Sequence, residues 1–271
     1  MEPIAPSIGL AWSHEIEKLL QKHDSLVDYV EFPFEKLRAS PELIARCPLP
    51  IILHCASMSV GGQIYPSQST IESIRTTAQL TRTPWIGEHL AFTTAHRFDE
   101  EGNEVVNTEY TICPQLSEES LENSITNFMS LQRQFDREII IENPPQYFFV
   151  PGSTLSQVAF IRRFSERTGG KLLLDLAHLY ITARNTGREP LSLLDEYPIE
   201  NIVEVHISGA SDDSGVCWDN HGIAAPEAIF ELLRVLLNRA KPRAITLEFN
   251  WHSQFSEAVL LTLINRVKEA N

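Results

Sequence analysis

Histidine and carboxylate side chains recur in this chain at the ends of short apolar runs. The run IIL leads into His54, a second run ends in His89, and a third ends in Glu142. A fourth run carries Asp175, with His178 three residues further on. Imidazole and carboxylate groups bind transition metals and transfer protons. One such histidine is usually structural, so the repetition of the pattern is what indicates a shared site.

The pattern continues toward the C-terminus, where His206 and Glu248 follow the last two runs and the segment WDNHG lies between them. The predicted metal ligands are His54, His89, Glu142, Asp175, His178, His206, Asp219, His221 and Glu248. Four of them are carboxylates, and carboxylates held close together raise one another's pKa unless cations neutralise them. Of this set, His54, Asp219 and His221 are also the predicted catalytic residues.

The number and type of these ligands limit which metals fit. One ion takes about four to six ligands, so the set exceeds the needs of a single ion and indicates two or three. Imidazole and carboxylate without thiolate suit Fe, Mn or Zn, whereas calcium and magnesium favour oxygen ligands. Asn143, Asn185 and Asn220 lie near the predicted ligands in the sequence and are expected to orient them.

Eight apolar, β-branched runs predict strands that are buried on both faces, as in a parallel sheet. They cover residues 7–12, 28–32, 50–54, 85–89, 138–143, 171–178, 201–209 and 244–250. Helical patterns lie between them, at 13–23, 67–82, 117–135, 154–169, 225–240 and 253–270. This alternation predicts a (β/α)₈ TIM barrel, an α/β fold that typically takes about 250 residues.

The carboxyl ends of barrel strands meet at one mouth, where the active sites of TIM barrels lie. Residues 30 to 50 positions apart in the sequence would therefore share one cavity. No linker interrupts the pattern, so residues 1–271 are predicted to form one domain. The acidic segment FDEEGNEVVN, residues 98–107, is predicted to be part of a long loop after the fourth strand.

Composition excludes several classes of function. The formal charge is −14, which disfavours binding to the phosphates of nucleic acids. No GxGxxG or GxxxxGK[ST] motif follows a strand, and the four cysteines form no CxxC pair. The chain begins without a signal-peptide pattern and contains no apolar run of membrane-spanning length. A reduced, cytoplasmic protein without membrane contact is therefore expected.

Seven strings together resemble the strand ends of a known family: LHCASMSVGG, GEHLAFT, IIIEN, LLLDLAHLYITARN, EVHISGA, DNHG and LEFN. This is the DUF692 family of multinuclear non-haem iron-dependent oxidases, which are similar to a methanobactin biosynthesis enzyme. The resemblance covers Ile8 to about Leu263. It implies a TIM barrel whose mouth holds two or three irons and which uses dioxygen to modify ribosomally made precursor peptides, often at cysteine.

The resemblance also implies a small partner protein that binds the leader of the precursor peptide, and we expect residues 98–107 to form its docking edge. All the predicted ligands except His178 match ligand positions of the family. The family usually has asparagine where this chain has His178, and a histidine is expected to hold a third metal more firmly or to favour another metal. The family also usually has Arg-Asp where this chain has Phe249-Asn250, which removes a cation and a carboxylate near the site.

Two other functions remain open from the residues alone. A xylose-isomerase-like isomerase or phosphodiesterase would use a similar mixture of His, Asp and Glu, although the negative charge argues against a DNA substrate. A metal-binding barrel that serves only as a scaffold is the second alternative, and retention of every ligand position argues against it. Oxygen consumption would separate an oxidase from an isomerase.

Overall fold

Eight parallel strands close into a barrel in this computed structural model, which describes residues 5–23, 25–99, 102–251 and 255–270. The strands of the described chain are β1 Ser7–Ala11, β2 Tyr29–Pro33, β3 Ile51–Cys55, β4 Trp85–His89, β5 Phe92–Asp99, β6 Gly102–Ile112, β7 Glu138–Glu142, β8 Lys171–Asp175, β9 Ile202–Ile207, β10 Ala210–Asp213, β11 Val216–Asp219 and β12 Ala244–Leu247. The barrel order is β1-β12-β9-β8-β7-β4-β3-β2. The predicted (β/α)₈ barrel is therefore confirmed.

Helices cover the outside of the barrel. They are α1 His14–Leu20, α2 Phe34–Ala39, α3 Glu42–Arg46, α4 Gln68–Thr81, α5 Glu118–Gln132, α6 Gln157–Thr168, α7 Leu176–Thr186, α8 Pro190–Leu194, α9 Glu227–Arg239 and α10 Glu257–Ala270, with a 3₁₀ turn at Ile199–Asn201. Ser67, Ser117 and Ser156 each accept a backbone N–H as the N-caps of α4, α5 and α6. Local sequence thus sets where the helices begin, and their apolar faces pack against the sheet.

Side chains of the barrel strands alternate between the barrel interior and the layer beneath the helices, because successive residues of a strand point to opposite faces. In β9, Glu204 and His206 belong to one face, whereas Val205 and Ile207 belong to the large core under the helices. A second, smaller core consists of Tyr29, Ile52, Trp85, Ile140, Leu173, Val203 and Ala244. Each of these residues is among the first three of its strand, so together they fill the barrel interior below the carboxyl ends of the strands.

The sixth barrel strand is shorter than predicted. The expected run extended to His178, but β8 ends at Asp175 and α7 begins at Leu176. The reason is local, since the Asp175 carboxylate accepts the backbone N–H of His178 at 2.6 Å and caps the helix. His178 therefore lies in the first turn of α7 rather than in a strand.

The segment after β4 also differs from the prediction. The expected loop at 98–107 falls within an antiparallel hairpin of β5 and β6, in which Ala95 pairs with Val106. Glu100 and Glu101, two of the four acidic residues of the predicted docking edge, lie outside the described residues. A second hairpin, β10 and β11, follows β9 and carries Asp219 at its end. Within the described ranges, every helix is too short or too polar to cross a bilayer.

Candidate metal centre

The predicted ligands meet at the carboxyl end of the barrel in three neighbouring groups, and the first two groups share Glu142. The first group joins three neighbouring strands: His54 ends β3, His89 ends β4 and Glu142 ends β7. The Nε2 atoms of the two histidines lie 3.5 Å apart, and each lies 3.1 Å from Oε2 of Glu142. Ligand atoms at about 2.1 Å from one ion lie roughly 3 to 3.5 Å from each other. This triangle therefore has the dimensions of a metal site.

The second group consists of Glu142, Asp175, His206 and Glu248, whose candidate ligand atoms all lie within 4.8 Å of one another. Nδ1 of His206 is 3.0 Å from Oε2 of Glu248 and 3.9 Å from Oε1 of Glu142. Asp175 and His206 are register partners on β8 and β9. Glu142 thus offers one carboxylate oxygen to the first group and the other to the second, as a bridging carboxylate would.

The third group consists of His178, Asp219 and His221. Oδ2 of Asp219 lies 3.1 Å from Nε2 of His178 and 3.3 Å from Nε2 of His221. Three contacts connect this group to the second: His178 lies 3.3 Å from Glu142 and 3.9 Å from Asp175, and His221 lies 3.6 Å from Glu248. The three groups together contain all nine predicted residues, so none of them is remote from the cluster.

The tautomers of two histidines are fixed by backbone carbonyls. Nδ1 of His89 lies 3.1 Å from the carbonyl oxygen of Cys55, and Nδ1 of His178 lies 2.8 Å from that of Asn143. A carbonyl oxygen can only accept, so Nδ1 carries the proton in both rings. When the ring is neutral, the lone pair is then on Nε2, which points into the cluster. Protein ligands of metals are commonly held in this way.

Glu31 fixes two further histidines and was not among the predicted site residues. Its Oε2 lies 2.9 Å from Nε2 of His206, and its Oε1 lies 3.4 Å from Nδ1 of His54. The remaining nitrogen of each ring, Nε2 of His54 and Nδ1 of His206, faces Glu142 or Glu248. One carboxylate below the cluster therefore turns both rings toward it. The signal in the sequence was a glutamate in the middle of the apolar run DYVEF.

Glu31 also forms a fourth candidate group with His54 and His206, on the ring nitrogens that face away from the other groups. A hydrogen-bond network in the barrel interior holds the carboxylate of Glu31. Thr246 Oγ1 donates to Oε2 of Glu31 at 2.8 Å and lies 2.7 Å from the hydroxyl of Tyr29. Oε1 of Glu204 lies 2.9 Å from the same threonine oxygen. Glu31 is thus held in the barrel axis by hydrogen bonds, in addition to its two histidines.

Glu204 differs from Glu31 in charge. Burial, reinforced by the negative charge of Glu31, raises the pKa of Glu204 to about 8. Burial opposes ionisation of Glu31, but the charge and hydrogen bond of His206, the charge of His54 and the hydrogen bond of Glu204 together outweigh it and lower the pKa of Glu31. At neutral pH, Glu204 therefore carries a proton that it can donate to Thr246, and it accepts the indole N–H of Trp85 at 2.7 Å. The network contains one ionised and one neutral carboxyl group.

Two glycines allow the backbone and the rings to approach closely. A Cβ at Gly87 would lie 2.8 Å from Nδ1 of His54, so this position leaves room for the imidazole over β4. A Cβ at Gly209 would lie 2.0 Å from the carbonyl oxygen of Gly222, which sits in the segment after β11. This segment contains His221, whose φ of 47° lies in the left-handed region that is uncommon for residues other than glycine. The carbonyl group of Gly222 thus packs closely against Gly209, next to the residue His221 whose backbone is left-handed.

The three predicted orienting asparagines have different roles. Asn143 is buried, donates to the carbonyl of Asp175 at 3.0 Å and accepts the N–H of Asp175 at 2.8 Å. Asn185 on α7 accepts the N–H of Cys217 and donates to its carbonyl, which fixes the strand that leads to Asp219. Asn220 accepts the N–H of Gly222, in the turn next to His221. Each therefore contacts the backbone beside a ligand rather than a ligand side chain.

The electrostatics of the cluster resemble those of a cation site. Burial disfavours the charged form of His54, but Glu142 and Glu31 outweigh it and raise the pKa of this histidine to about 10. Burial likewise opposes the charge of Glu142 and Glu248, yet the histidines around them lower both pKa values. Without metal, protons on His54, His178 and His206, whose pKa values are all raised, balance part of the carboxylate charge. Metal ions replace such protons when they bind.

Two buried carboxylate oxygens test whether the residues fit metal ions. Among the described residues, Oε2 of Glu142 and Oδ2 of Asp175 accept no hydrogen bond of good geometry, although Nε2 of His54 and Nε2 of His89 each lie 3.1 Å from the Glu142 oxygen. Glu142 is 1% exposed and Asp175 is fully buried, so water does not satisfy them from outside. An unpaired buried carboxylate oxygen is costly, and a bound cation removes that cost. The donor set of five histidines and four carboxylates, without thiolate, fits iron, manganese or zinc.

The comparison with family models identifies the group to which the chain belongs. Residues 7–270 match the family described as RiPP precursor modification enzyme MbnB/TglH/ChrH, and the chain is a member of this family. The family implied by the strand-end motifs is thereby confirmed. Enzymes of this family act on RiPP precursors, according to that description.

The chain is also similar to curated relatives and to solved structures. A UPF0276 protein of Streptomyces avermitilis is 26% identical over 89% of this chain and 50% of its own length, so the chain spans half of that relative. A UPF0276 protein of Anaeromyxobacter is 25% identical over 90% of this chain and 85% of its own length. A xylose isomerase domain protein from Planctomyces limnophilus superposes with a TM-score of 0.61 at 12% identity, covering 98% of both chains. That likeness concerns the fold alone.

Proposed function

We propose that the protein is a multinuclear non-haem iron-dependent oxidase. Its substrate would be a cysteine of a ribosomally made precursor peptide, and its oxidant dioxygen. The observation that carries the proposal is the sharing of Glu142 between two ligand groups, with a third group joined to them through Asp175 and Glu248. Such sharing is suited to several ions close together rather than to one ion.

The nine predicted residues would hold two or three ions, with His54, His89 and Glu142 at one position. Glu142, Asp175, His206 and Glu248 would hold a second ion, and His178, Asp219 and His221 a third. Iron would supply redox chemistry with dioxygen and positive charge beside the substrate thiol. Manganese or zinc would fit the same donors, but zinc has no redox chemistry.

The chain's own residues would prepare and orient the reaction. Asp219 and His221 line a cavity that opens beside the cluster, and the His221 side chain is 34% exposed. These two residues are therefore placed to contact a peptide, and a carboxylate oxygen of Asp219 that binds no metal would accept the proton of its thiol. His54 lies between Glu31 and Glu142 and would bind the first ion. The precursor peptide would be presented by a small leader-binding partner protein.

A direct test compares oxygen uptake with peptide modification. The protein would be loaded with Fe(II) without oxygen, mixed with a cysteine-containing precursor peptide and its partner, and then exposed to oxygen. The proposal expects oxygen uptake that requires both iron and peptide, together with a mass change at cysteine. Modification without oxygen uptake would argue for another reaction, and a xylose-isomerase-like activity would consume no oxygen. Asp219→Asn should lower the rate of oxygen uptake per bound iron. The rate is compared per iron because Asp219 is also a proposed ligand.

A further inference from the structure

The cavity beside the third ligand group has an unusual lining. Its volume is about 580 Å³, within the range of roughly 300 to 1,000 Å³ that small-ligand pockets occupy. Four aromatic side chains line it, namely Tyr110, Tyr147, Phe148 and Trp218. Exposed aromatic side chains that gather around one cavity commonly mark a binding surface.

The aromatic rings come from separate elements of the fold. Tyr110 belongs to β6 and is 76% exposed, whereas Phe148 follows β7 and is 67% exposed. Trp218 on β11 packs against Tyr147, with ring centroids 4.7 Å apart. The two hairpins thus serve as walls, because β6 and β11 each contribute an aromatic ring next to the barrel mouth. Neither ring is needed to fill the core.

The charges around the cavity exclude some ligands. Among its described lining residues, the carboxylate and imidazole side chains are those of Asp219 and His221, and both already belong to the third ligand group. Neither arginine nor lysine is among these lining residues, so away from the third ligand group a phosphate or carboxylate has no cationic side chain to pair with. The remaining lining is neutral and largely apolar. A neutral, apolar side chain is what this cavity can accommodate.

The cavity and the metal centre are continuous, since Asp219 and His221 belong to both. A ligand could therefore reach the third ligand group with one atom and the aromatic rings with another. Aromatic rings prefer tilted or offset arrangements with centroids about 4.5 to 7 Å apart, and such pairs add stability beyond the burial of area. A ring inserted between Tyr110, Phe148 and Trp218 would form several such pairs.

We infer that this cavity binds an aromatic side chain of the substrate, from a residue adjacent to the cysteine that is modified. The inference rests on the proposed function, because it places the thiol at the neighbouring metal centre. It adds a sequence preference that the family assignment does not contain. The peptide would be recognised at two points, by its thiol and by a neighbouring ring, over a span of one residue.

The test measures binding rather than turnover. Fe(II)-loaded protein would be titrated without oxygen, by calorimetry, with N-acetyl dipeptide amides in which Phe, Leu or Ala precedes or follows cysteine. The phenylalanine probe, in one of its two orders, should bind about tenfold more tightly than the leucine and alanine probes. Equal affinity for all three residues would overturn the inference. A preference for leucine would replace it with an aliphatic pocket.

Two variants and a matched control locate the effect. Phe148→Ala and Tyr110→Ala should each reduce the preference for phenylalanine several-fold, since each removes one aromatic ring that lines the cavity. Phe149→Ala is the control, because Phe149 is 66% exposed, nearly as much as Phe148, but does not line the cavity. An equal loss in Phe149→Ala, or none in the other two, would contradict the inference. Iron content and oxygen uptake, measured separately, show whether the proposed function itself fails.

Discussion

Oε2 of Glu31 lies 2.9 Å from Nε2 of His206, in the axis of the barrel and below the candidate metal centre. The two residues are 175 positions apart in the sequence, and closure of the barrel brings them together. The carboxylate turns the ring so that Nδ1 faces Glu248 at 3.0 Å. Glu31 is therefore a positioning residue: it orients the predicted ligand His206 and is not itself one of the nine predicted ligands.

Glu31→Gln should weaken metal binding. The amide has no negative charge to hold His54 and His206, and loss of such a partner typically lowers metal affinity by about 10- to 100-fold. Glu204→Gln is the matched control: this residue is also buried and lies 3.9 Å from His206, but its raised pKa leaves it neutral, as glutamine is. Competition with a chelator measures both. Equal losses in the two variants would contradict the assigned role.

Glu142→Gln should remove more metal than Glu248→Gln. Glu142 contributes oxygens to two ligand groups, whereas Glu248 belongs to the second group and only approaches the third. Elemental analysis of anaerobically reconstituted protein should therefore give a lower metal content per chain for the Glu142 variant. Circular dichroism controls for folding. A metal content unchanged by Glu142→Gln would refute the shared carboxylate.

His178→Asn introduces the residue that the family usually has at this position. The change removes Nε2, which lies 3.1 Å from Asp219, and leaves a weaker amide ligand. We expect the affinity of the most weakly bound ion to fall by about tenfold or more, with the other positions unchanged. Stepwise metal titration followed by optical spectroscopy measures this. A uniform loss of affinity at every step would point to disruption of α7 instead.

The stability of the metal-free protein should decrease on the alkaline side. His54 has a folded-state pKa of about 10, raised above its usual value of 6.5. Its interactions with Glu142 and Glu31 therefore contribute fully below pH 6.5 and are lost as the pH rises toward 10. Thermal unfolding of chelator-treated protein should give a melting temperature that falls through this window. Metal-loaded protein is the control, and its profile should be flatter because ions replace the protons.

The barrel could be predicted because its buried strands appear as apolar runs that helical patterns separate. The clustering of most of the predicted ligands could be anticipated for the same reason, since they stand where those runs end, whereas Asp219 and His221 came from the segment WDNHG between the last two runs. Glu31 was missed because it lies inside a run, where only the closed barrel brings it beneath His54 and His206. The helix at His178 was missed because apolar residues continue from the strand into the helix. The boundary between β8 and α7 is set by Asp175, which caps the helix.

The aromatic cavity could not be predicted from strand ends. Tyr110 and Trp218 lie on hairpins that depart from the regular repeat, and the first of these segments was expected to contain a long loop. Local turn residues can predict that a hairpin forms after a strand. They do not predict which side chains of two separate hairpins come into contact. Their position over the mouth follows only once the barrel is closed.

The central claim is that several metal ions share this one barrel mouth, and anomalous diffraction from crystals of the Fe(II)-loaded protein tests it most directly. Data collected at the iron absorption edge should give two or three peaks, one between His54, His89 and Glu142 and the others in the second and third ligand groups. A single peak, or peaks away from these nine residues, would contradict the account.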